Sequence, residues 1–294
     1  MIQPNSLQAW GLAIRPKTLT GAAIPVMIGC ALADMYDKLQ VLPAVLCFLF
    51  AFLMQIDANF INDLFDYLKG SDREDRLGPE RACAQGWITV SAMKAGIAVV
   101  TVLAAITGLS LLFFSGWEMI PVGVACIVFA FLYTAGPYPL AYHGWGDVLV
   151  LVFFGFVPVG CTFYVMAHTW TTPVTVASLA CGLIIDTLLM VNNFRDREQD
   201  AISGKRTLIV RWGARAGLIL YFMLGMVACW CCLYFTSEGK IWAAVLPQLY
   251  LIPHIFTTLK MARINKGKAL NLILGETSRN MLLFGMLLTL GLVL

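Results

Sequence analysis

Long apolar stretches, nearly free of charge, recur along the whole chain and limit what it can fold into. Of the 294 residues, 60% are hydrophobic and only 13% are charged. Inside a lipid bilayer every backbone polar group must be bonded within the protein, and apolar stretches of about 20 residues are typical of membrane-spanning helices. The sequence therefore predicts an all-α, multi-pass membrane protein with a single domain over residues 1–294. It argues against a soluble or nucleic-acid-binding domain.

Nine spans of about 20 residues each can be drawn along the chain. The connections after the first, third, fifth and seventh spans are short. Those after the second and sixth are long and polar, and they predict two cap loops at about 64–92 and 194–215. The predicted spans are 18–36, 42–63, 93–114, 119–137, 147–166, 174–193, 216–236, 242–260 and 276–294.

The distribution of Lys and Arg predicts the orientation of these spans. All but two of the twenty Lys and Arg residues fall on the side of the amino terminus, the exceptions being Lys38 and Lys240. Cytoplasmic loops carry the excess of positive charge in membrane proteins. The amino terminus and both cap loops are therefore predicted to be cytoplasmic, with the carboxyl terminus outside the inner (cytoplasmic) membrane.

A cluster of polar residues ends the second span. Asn62, Asp63 and Asp66 share one face if the helix continues, and Asp72 follows a glycine, Gly70, that can end that helix. Carboxylates and amides at a membrane helix end are suitable ligands for Mg²⁺, which binds a few carboxylates, several waters and phosphate oxygens. The alternative for this cluster alone is a solvated helix end with ordinary capping acids.

A second cluster, at the end of the sixth span, favours the metal-binding interpretation. Asn192, Asp196 and Asp200 are spaced four residues apart and share one helical face. Two such clusters predict two acidic arms that face each other across one diphosphate, with Mg²⁺ between them. The catalytic acids would be Asp63, Asp66, Asp196 and Asp200, and the metal set would add Asn62, Asp72 and Asn192.

The two clusters also predict an internal pseudo-repeat. They lie on spans separated by four crossings, so both spans run in the same direction. This fits a parallel repeat of four helices with one additional helix.

Cations follow each acidic cluster closely in the sequence. Arg and Lys bind phosphate oxygens, and metal and cations together stabilise the charge that develops on a diphosphate leaving group. The alternative is that these cations only set the topology. The predicted diphosphate-binding residues are Arg73, Arg81, Arg195, Lys205 and Arg206.

A third stretch, residues 133–147, links the fourth and fifth spans on the same side and has no Lys or Arg. Its rings could bind a flat aromatic acid or stabilise a carbocation. An interfacial aromatic belt is the alternative. The predicted acceptor-binding residues are Tyr133, Tyr138, Tyr142, His143 and Asp147.

These motifs together resemble the UbiA superfamily of intramembrane prenyltransferases. The clusters at 62–66 and 192–200 are similar to its Asn-Asp-x-x-Asp and Asp-x-x-x-Asp motifs. The stretches 15–19, 78–81, 133–142 and 204–208 extend this resemblance over nearly the whole chain. The Gly-Pro-Tyr-Pro loop at 136–139 and the Asn-Asn-x-Arg-Asp motif at 192–196 make the chain most similar to the 1,4-dihydroxy-2-naphthoate polyprenyltransferases of menaquinone synthesis. The superfamily's third acid is replaced here by Gly70, which leaves the role of Asp72 open.

The resemblance implies a nine-helix bundle around a central cavity that is capped by the acidic loops and open sideways to lipid. It also implies Mg²⁺-dependent transfer from a polyprenyl diphosphate to 1,4-dihydroxy-2-naphthoate, with release of diphosphate and CO₂ to give demethylmenaquinone. Two alternatives stay open at this point. One is a related enzyme that acts on 4-hydroxybenzoate, homogentisate or haem, and the other is a secondary transporter of an anionic substrate.

Overall fold

The apolar stretches form helices, as the sequence predicts. The computed structural model describes residues 2–70 and 76–294, and within them it has no β-strand. The helices are α1 (Leu7–Ile14), α2 (Leu19–Met35), α3 (Val41–Leu68), α4 (Val90–Ser115), α5 (Ile120–Thr134), α6 (Gly146–Ala167), α7 (Thr172–Ile202), α8 (Leu208–Thr236), α9 (Ile241–Ile264) and α10 (Leu270–Val293).

Helices α3 and α7, which carry the two acidic clusters, have 28 and 31 residues. Both continue for one to three turns beyond the predicted ends of their spans at residues 63 and 193. The predicted boundaries of the cap loops, 64–92 and 194–215, were therefore too wide. The apolar pattern ends near the membrane surface, whereas each helix continues with a polar face, so the acidic clusters lie on helices and not in loops.

Glycines in the left-handed conformation follow both of these helix ends. Gly70 has φ 67° and Gly204 has φ 80°. Behind Gly204 the amide of Lys205 donates to the carbonyl of Asp200 at 2.8 Å, which satisfies a carbonyl that the helix leaves open. The role predicted for Gly70 as a helix terminator is confirmed.

Eight helical segments of the described chain are long and apolar enough to cross a membrane: α1 with α2 as one segment, α3, α4, the segment Trp117–Thr134 that contains α5, and α6 to α9. Helix α10 has 24 residues but carries Glu276 and Asn280 in its first half. These polar groups are bonded to α9, since Lys260 donates to Glu276 at 2.8 Å and Asn280 to Thr257 at 3.0 Å. The all-helical membrane architecture is confirmed, and the ninth crossing stays a prediction.

The break between α1 and α2 is held by an asparagine of α3. Arg15 adopts a left-handed conformation, with φ 55°, and stops α1. The side chain of Asn59 donates to the carbonyl of Ile14 and to the hydroxyl of Thr18, both at 2.9 Å. The break therefore places the side chain of Arg15 beside the polar end of α3.

Helices α2, α3, α5, α6 and α7 surround a central cavity of about 560 Å³. Helix α2 packs against α3, α7 and α10, and α7 packs against both α6 and α8. The largest buried apolar cluster joins α2, α6, α7, α8, α9 and α10. The predicted central cavity is therefore present between the helices that carry the two acidic clusters.

Helix α6 departs from regular α geometry along one wall of the cavity. Its segment Leu151–Gly160 is π-helical and contains Pro158, which lacks the amide that a regular helix would use. Close contacts lie at the start of α6 and at the end of this segment. A methyl group added to Gly146 would lie 3.2 Å from Leu189, and one added to Gly160 would lie 1.9 Å from the Trp170 ring.

One face of α4 presents large apolar side chains to the outside of the bundle. Val99, Val102, Ile106, Leu109 and Phe113 are all more than half exposed. Their spacing of three to four residues forms one continuous stripe along the helix. A stripe of this kind is stable against lipid hydrocarbon rather than water.

Partly exposed tryptophans surround the two ends of the bundle. Trp117, Trp170 and Trp242 lie at the end away from the acidic clusters, while Trp145 and Trp212 lie at the same end as these clusters. Tryptophan is enriched at both membrane–water interfaces. The rings therefore mark the two borders of the membrane-embedded region.

Helix α10 depends on one glycine for its close contact with α2. A methyl group at Gly285 would lie 2.6 Å from a γ-carbon of the fully buried Ile24, whereas one at Gly275 of the same helix would meet nothing within 4 Å. We predict that Gly285→Ala destabilises the protein by about 1–3 kcal/mol through overpacking. The matched Gly275→Ala should leave the thermal midpoint in detergent unchanged or slightly raised. Equal midpoints for the two variants would contradict this account of the α2–α10 contact.

Candidate active site

The cavity is polar at one end and apolar at the other. Its polar end lies between the carboxyl ends of α3 and α7, where both acidic clusters contribute to the lining. Away from this end the wall is mainly apolar and aromatic. The apolar lining includes Phe50, Met54, Leu111, Cys126, Phe129, Phe153, Phe154 and Cys161.

Helix α3 presents a polar face to the cavity at helical spacing. Asn59, Asn62 and Asp66 line the cavity, and Asn62 accepts a hydrogen bond from the hydroxyl of Thr134. Asp66 is buried, and its Oδ2 accepts a hydrogen bond from Arg81 at 2.9 Å. Its Oδ1 is buried without a hydrogen-bond partner. A carboxylate oxygen left open beside the cavity is available to a ligand.

Asp63 is oriented differently from its neighbours. It does not line the cavity, and it is only 1% exposed. Its two carboxylate oxygens accept hydrogen bonds from the backbone amides of Ala82 and Cys83, at 2.9 and 2.8 Å, and from Arg15 at 3.3 Å. Asp63 was predicted to be a catalytic metal ligand, but its contacts are those of an anchor for the cap loop after α3.

Helix α7 supplies the second polar face. Asn192, Asp196 and Asp200 all line the cavity, as the spacing of four residues predicts. Arg195 donates to both oxygens of Asp196, at 2.6 and 2.7 Å, and is itself only 3% exposed. Asn192 donates to the carbonyl of Leu188 on its own helix. The second acidic arm therefore carries its own cation.

Asn271 of α10 connects Arg195 to the first cap loop. Its Oδ1 accepts a hydrogen bond from Arg195 at 3.0 Å, and its Nδ2 donates to the carbonyl of Leu77 at 2.8 Å. The loop approaches so closely that a methyl group on Gly78 would lie 2.8 Å from Arg195. Asn271 was not among the predicted site residues, because nothing near it in the sequence carries a motif.

Tyr142 lies between two lysines that come from different cap segments. The amino groups of Lys69 and Lys205 are 4.9 and 4.8 Å from the centre of its ring. Lys205 also lies 3.6 Å from Asp200. Burial lowers the pKa of Lys205, but the charges of Asp66 and Asp200 raise it by more, so the pKa lies above its usual value. Lys205 is therefore a permanent cation at the polar end of the cavity.

Tyr138 and His143, both predicted to bind the acceptor, do not line the cavity. Their rings stack on each other at 3.5 Å, and Tyr138 is 54% exposed. His143 is further held by its own loop, with Nδ1 2.9 Å from the carbonyl of Pro139. Tyr142 is also outside the lining and packs between the lysines instead. The turn chemistry of the loop directs these three rings away from the cavity.

Tyr133 and Asp147, at the two ends of the same stretch, do line the cavity. A methyl group added to Gly146 would lie 3.6 Å from the hydroxyl oxygen of Tyr133, so this hydroxyl lies over the start of α6. Asp147 is 8% exposed, and its Oδ1 is buried without a hydrogen-bond partner. Of the five predicted acceptor-binding residues, the structure brings these two to the cavity.

The predicted diphosphate-binding cations also divide into two groups. Arg81, Arg195 and Lys205 line the cavity, whereas the Arg206 side chain is exposed and outside the lining. Arg73, and Asp72 of the predicted metal set, lie outside the described residues. Two cavity-lining cations were absent from the predicted set. They are Arg15 and Arg76.

The carboxylates at the polar end fit Mg²⁺ better than a metal with an all-protein site. In the described part of the chain no three His, Cys, Asp or Glu side chains converge as a compact metal cage. Mg²⁺ usually takes one or two protein carboxylates together with waters and substrate phosphates. The open, buried Oδ1 of Asp66 and the partly exposed carboxylate of Asp196 are oxygen donors of this kind.

The chain belongs to the UbiA prenyltransferase family, whose model matches residues 22–289. It is therefore a membrane-embedded prenyltransferase. Among solved structures, the UbiA homologue from Archaeoglobus fulgidus bound to GPP and Mg²⁺ superposes with a TM-score of 0.71 over 97% of this chain and 99% of that one. The two sequences are 15% identical, so this likeness shows the shared fold.

Two bacterial relatives are more similar in sequence. The 1,4-dihydroxy-2-naphthoate octaprenyltransferase of Haemophilus influenzae is 35% identical, over 99% of this chain and 97% of its own length. The Escherichia coli protein of the same name is 39% identical, over 72% of this chain and 70% of its own length.

The contacts of Asp63 predict a structural role for this carboxylate. In Asp63→Ala the amides of Ala82 and Cys83 lose their acceptor, and each unsatisfied amide costs about 1–3 kcal/mol. We therefore expect trypsin to cleave the cap loop after α3 at least roughly tenfold faster in Asp63→Ala than in the wild-type protein. Asp57→Ala removes another buried carboxyl of α3, which bonds to Thr101 of α4, and should not change the cleavage rate. Unchanged cleavage of Asp63→Ala would show that the loop is held by other contacts.

Proposed function

We propose that the protein transfers a polyprenyl group from a polyprenyl diphosphate to 1,4-dihydroxy-2-naphthoate, with release of diphosphate and CO₂. The observation that carries this proposal is the division of one cavity into a charged end and an apolar remainder. The charged end suits a diphosphate, and the apolar wall suits a prenyl chain. The two naphthoate octaprenyltransferases that match most of their length to this chain support the choice of acceptor.

Five cations around the polar end would hold the diphosphate. Such groups stabilise the negative charge that grows on the leaving diphosphate as the carbon–oxygen bond breaks. Arg is suited to bind two phosphate oxygens at once, and Lys supplies a point charge. The residues in this role are Arg15, Arg76, Arg81, Arg195 and Lys205.

The carboxylates would hold Mg²⁺ between the two arms. Asp66, Asp196 and Asp200 are the metal-binding acids of this proposal, and Asn62 and Asn192 are the supporting amides. Bound Mg²⁺ supplies Lewis-acid stabilisation of the diphosphate charge. Asp63 leaves the proposed ligand set because its oxygens already accept three hydrogen bonds. The apolar wall keeps water away from the allylic carbon.

The proposed orientation places the amino terminus and the polar end of the cavity in the cytoplasm, and the carboxyl terminus outside. It rests on the excess of Lys and Arg at the end where α3 and α7 finish. The cytoplasmic membrane is the proposed location. A soluble diphosphate head group and an anionic acceptor would then reach the site from the cytoplasm.

The direct test is an assay of the purified protein in detergent with Mg²⁺, a polyprenyl diphosphate and 1,4-dihydroxy-2-naphthoate. We expect diphosphate release, a prenylated naphthol product and loss of both on chelation of Mg²⁺. A panel with 4-hydroxybenzoate, homogentisate and haem separates the related acceptors. Product with one of these and none with the naphthoate would overturn the proposed acceptor. Uptake of unchanged substrate into vesicles, without diphosphate release, would favour a transporter.

The proposed metal-binding acids predict a sharp loss of turnover. Asp66→Asn and Asp196→Asn should each lower kcat by about 10²-fold or more, because the metal and leaving-group charges lose their stabilisation. Both variants should stay folded in detergent. Asp57→Asn, on the opposite side of α3, is the matched control and should retain the wild-type rate. A near-normal rate for Asp66→Asn or Asp196→Asn would remove that residue from the metal site.

The aromatic stretch predicts different results for its two ends. Tyr133→Ala should raise KM for the acceptor by roughly ten- to a hundredfold, because one ring contact and hydrogen bond are lost. Tyr138→Ala, whose ring lies outside the cavity, should leave KM for both substrates unchanged. A fall in kcat with constant acceptor KM would instead place the Tyr133 ring against the carbocation. Equal effects of Tyr133→Ala and Tyr138→Ala would contradict the assignment.

A further inference from the structure

Two buried carboxyl groups lie at the contact between α6 and α7. Asp147, at the start of α6, is 8% exposed and lines the cavity, while Asp186 of α7 is 2% exposed. Each keeps a buried Oδ1 without a hydrogen-bond partner. Asp186 belongs to neither acidic motif of the sequence, and nothing in the proposed metal site uses it.

The packing of the two helices places these carboxyls opposite each other. Helices α6 and α7 run antiparallel and approach each other closely at two glycines, where a methyl group in place of hydrogen would clash with the other helix. One on Gly155 would lie 2.5 Å from the carbonyl oxygen of Ser178, and one on Gly182 would lie 3.1 Å from the Cα of Leu151. Asp147 precedes Leu151 by four residues, and Asp186 follows Gly182 by four. In antiparallel helices the same register therefore places Asp147 opposite Asp186.

The pair differs from the other acids at this end of the molecule. Asp63, Asp66, Asp196 and Asp200 each have a cationic partner. Neither Asp147 nor Asp186 has one in the described part of the chain, and the charged group that acts on Asp186 is Asp147 itself. Two like charges placed close together without a counter-ion repel each other, and one proton shared between the two groups removes this repulsion. A purely structural pair would have its oxygens bonded.

The surroundings of the pair point to a hydroxyl-bearing ligand. The Tyr133 hydroxyl lies over the start of α6, where a methyl group added to Gly146, the residue before Asp147, would be 3.6 Å from it. The carboxylate of Asp147, a residue of the cavity lining near Tyr133, can accept a hydrogen bond from a hydroxyl on an aromatic ring. A diphosphate would be repelled here by the negative charge. The site therefore suits the aromatic acceptor rather than the donor.

We propose that Asp147 is the general base that takes the proton of the acceptor's ring hydroxyl, and that Asp186 is a positioning residue that keeps the pair at a single negative charge. This inference rests on the proposed function, because it assigns a role in the same reaction. It adds a carboxyl pair on α6 and α7 to the two acidic arms.

The step balances in atoms and electrons. The O–H bond of the acceptor breaks, its proton goes to Asp147, and the electron pair flows into the ring. The ring carbon that bears the carboxylate bonds to the prenyl carbon, whose bond to oxygen breaks with its pair and leaves diphosphate. Loss of CO₂ returns an electron pair to the ring, and the resulting ring oxygen anion recovers the proton from Asp147.

The first test is chemical rescue. Asp147→Ala should lower the rate of prenyl transfer by about 10²–10⁴-fold, the usual contribution of a general base. Sodium formate, which can enter the space left by the side chain, should restore part of the lost rate. Asp57→Ala, which removes a buried carboxyl facing α4, should keep the wild-type rate with or without formate. A folded Asp147→Ala protein with a normal rate, or one that formate does not rescue, would overturn the proposal.

The second test asks if Asp186 acts through Asp147. Asp186→Asn should lower kcat and leave KM for the prenyl donor unchanged, and the double variant Asp147→Ala/Asp186→Asn should be no slower than Asp147→Ala. Independent, additive losses would contradict a shared role. Both tests are read against wild-type protein in the same assay. Absence of wild-type product with every acceptor would refute the proposed function, whereas an active wild type with the wrong variant pattern would refute only the carboxyl pair.

Discussion

The structure depends on the neutralisation of charge at the membrane border. A carboxylate that leaves water without a partner carries a large free-energy penalty, so each acid at the ends of α3 and α7 needs a cation within reach. These cations come from α1, from both cap loops and from α7 itself, and they draw separate parts of the chain onto the two helix ends. The ion pairs that lower the free-energy penalty of these buried acids are thus the same contacts that form the polar end of the cavity. The four pairs are Arg15–Asp63, Arg81–Asp66, Arg195–Asp196 and Lys205–Asp200.

The fold class and the two arms of the site could be predicted from local patterns. Hydropathy located the helices, and polar spacing brought Asp66, Asp196 and Asp200 to one cavity. Spacing could not resolve the direction of Asp63, because one residue turns an α-helix by about 100° and thereby moves a side chain to the neighbouring face. Asn271 was missed for a different reason. Its partners lie 76 and 194 residues away in the sequence, so only the packing of α10 reveals its contacts.

The aromatic stretch between α5 and α6 shows what composition alone can establish. The abundance of rings and the lack of cations suggested an acceptor site, but the backbone decides where each ring points. Arg206 donates from its amide to the carbonyl of Tyr142 at 2.8 Å, and Arg211 donates to the carbonyl of His143 at 3.0 Å. The loop is therefore fastened to the second cap segment by its backbone. Of its middle rings, Tyr142 packs against Lys205 of that segment, and among the five predicted acceptor-binding residues only Tyr133 and Asp147 reach the cavity.

Because α6 contains the π-helical segment Leu151–Gly160, it should tolerate a change in chain length that the regular helix α7 does not. Close contacts fix α6 at its start, Gly146, and at the end of this segment, Gly160, while the wider turns between them hold surplus backbone. A one-residue deletion inside this segment can be absorbed when the turns tighten to ordinary α geometry. The same deletion in the middle of α7 would rotate its acidic end by about 100° away from the cavity. Length variation among relatives of this chain should therefore be found in the α6 wall of the cavity and not in the α7 wall.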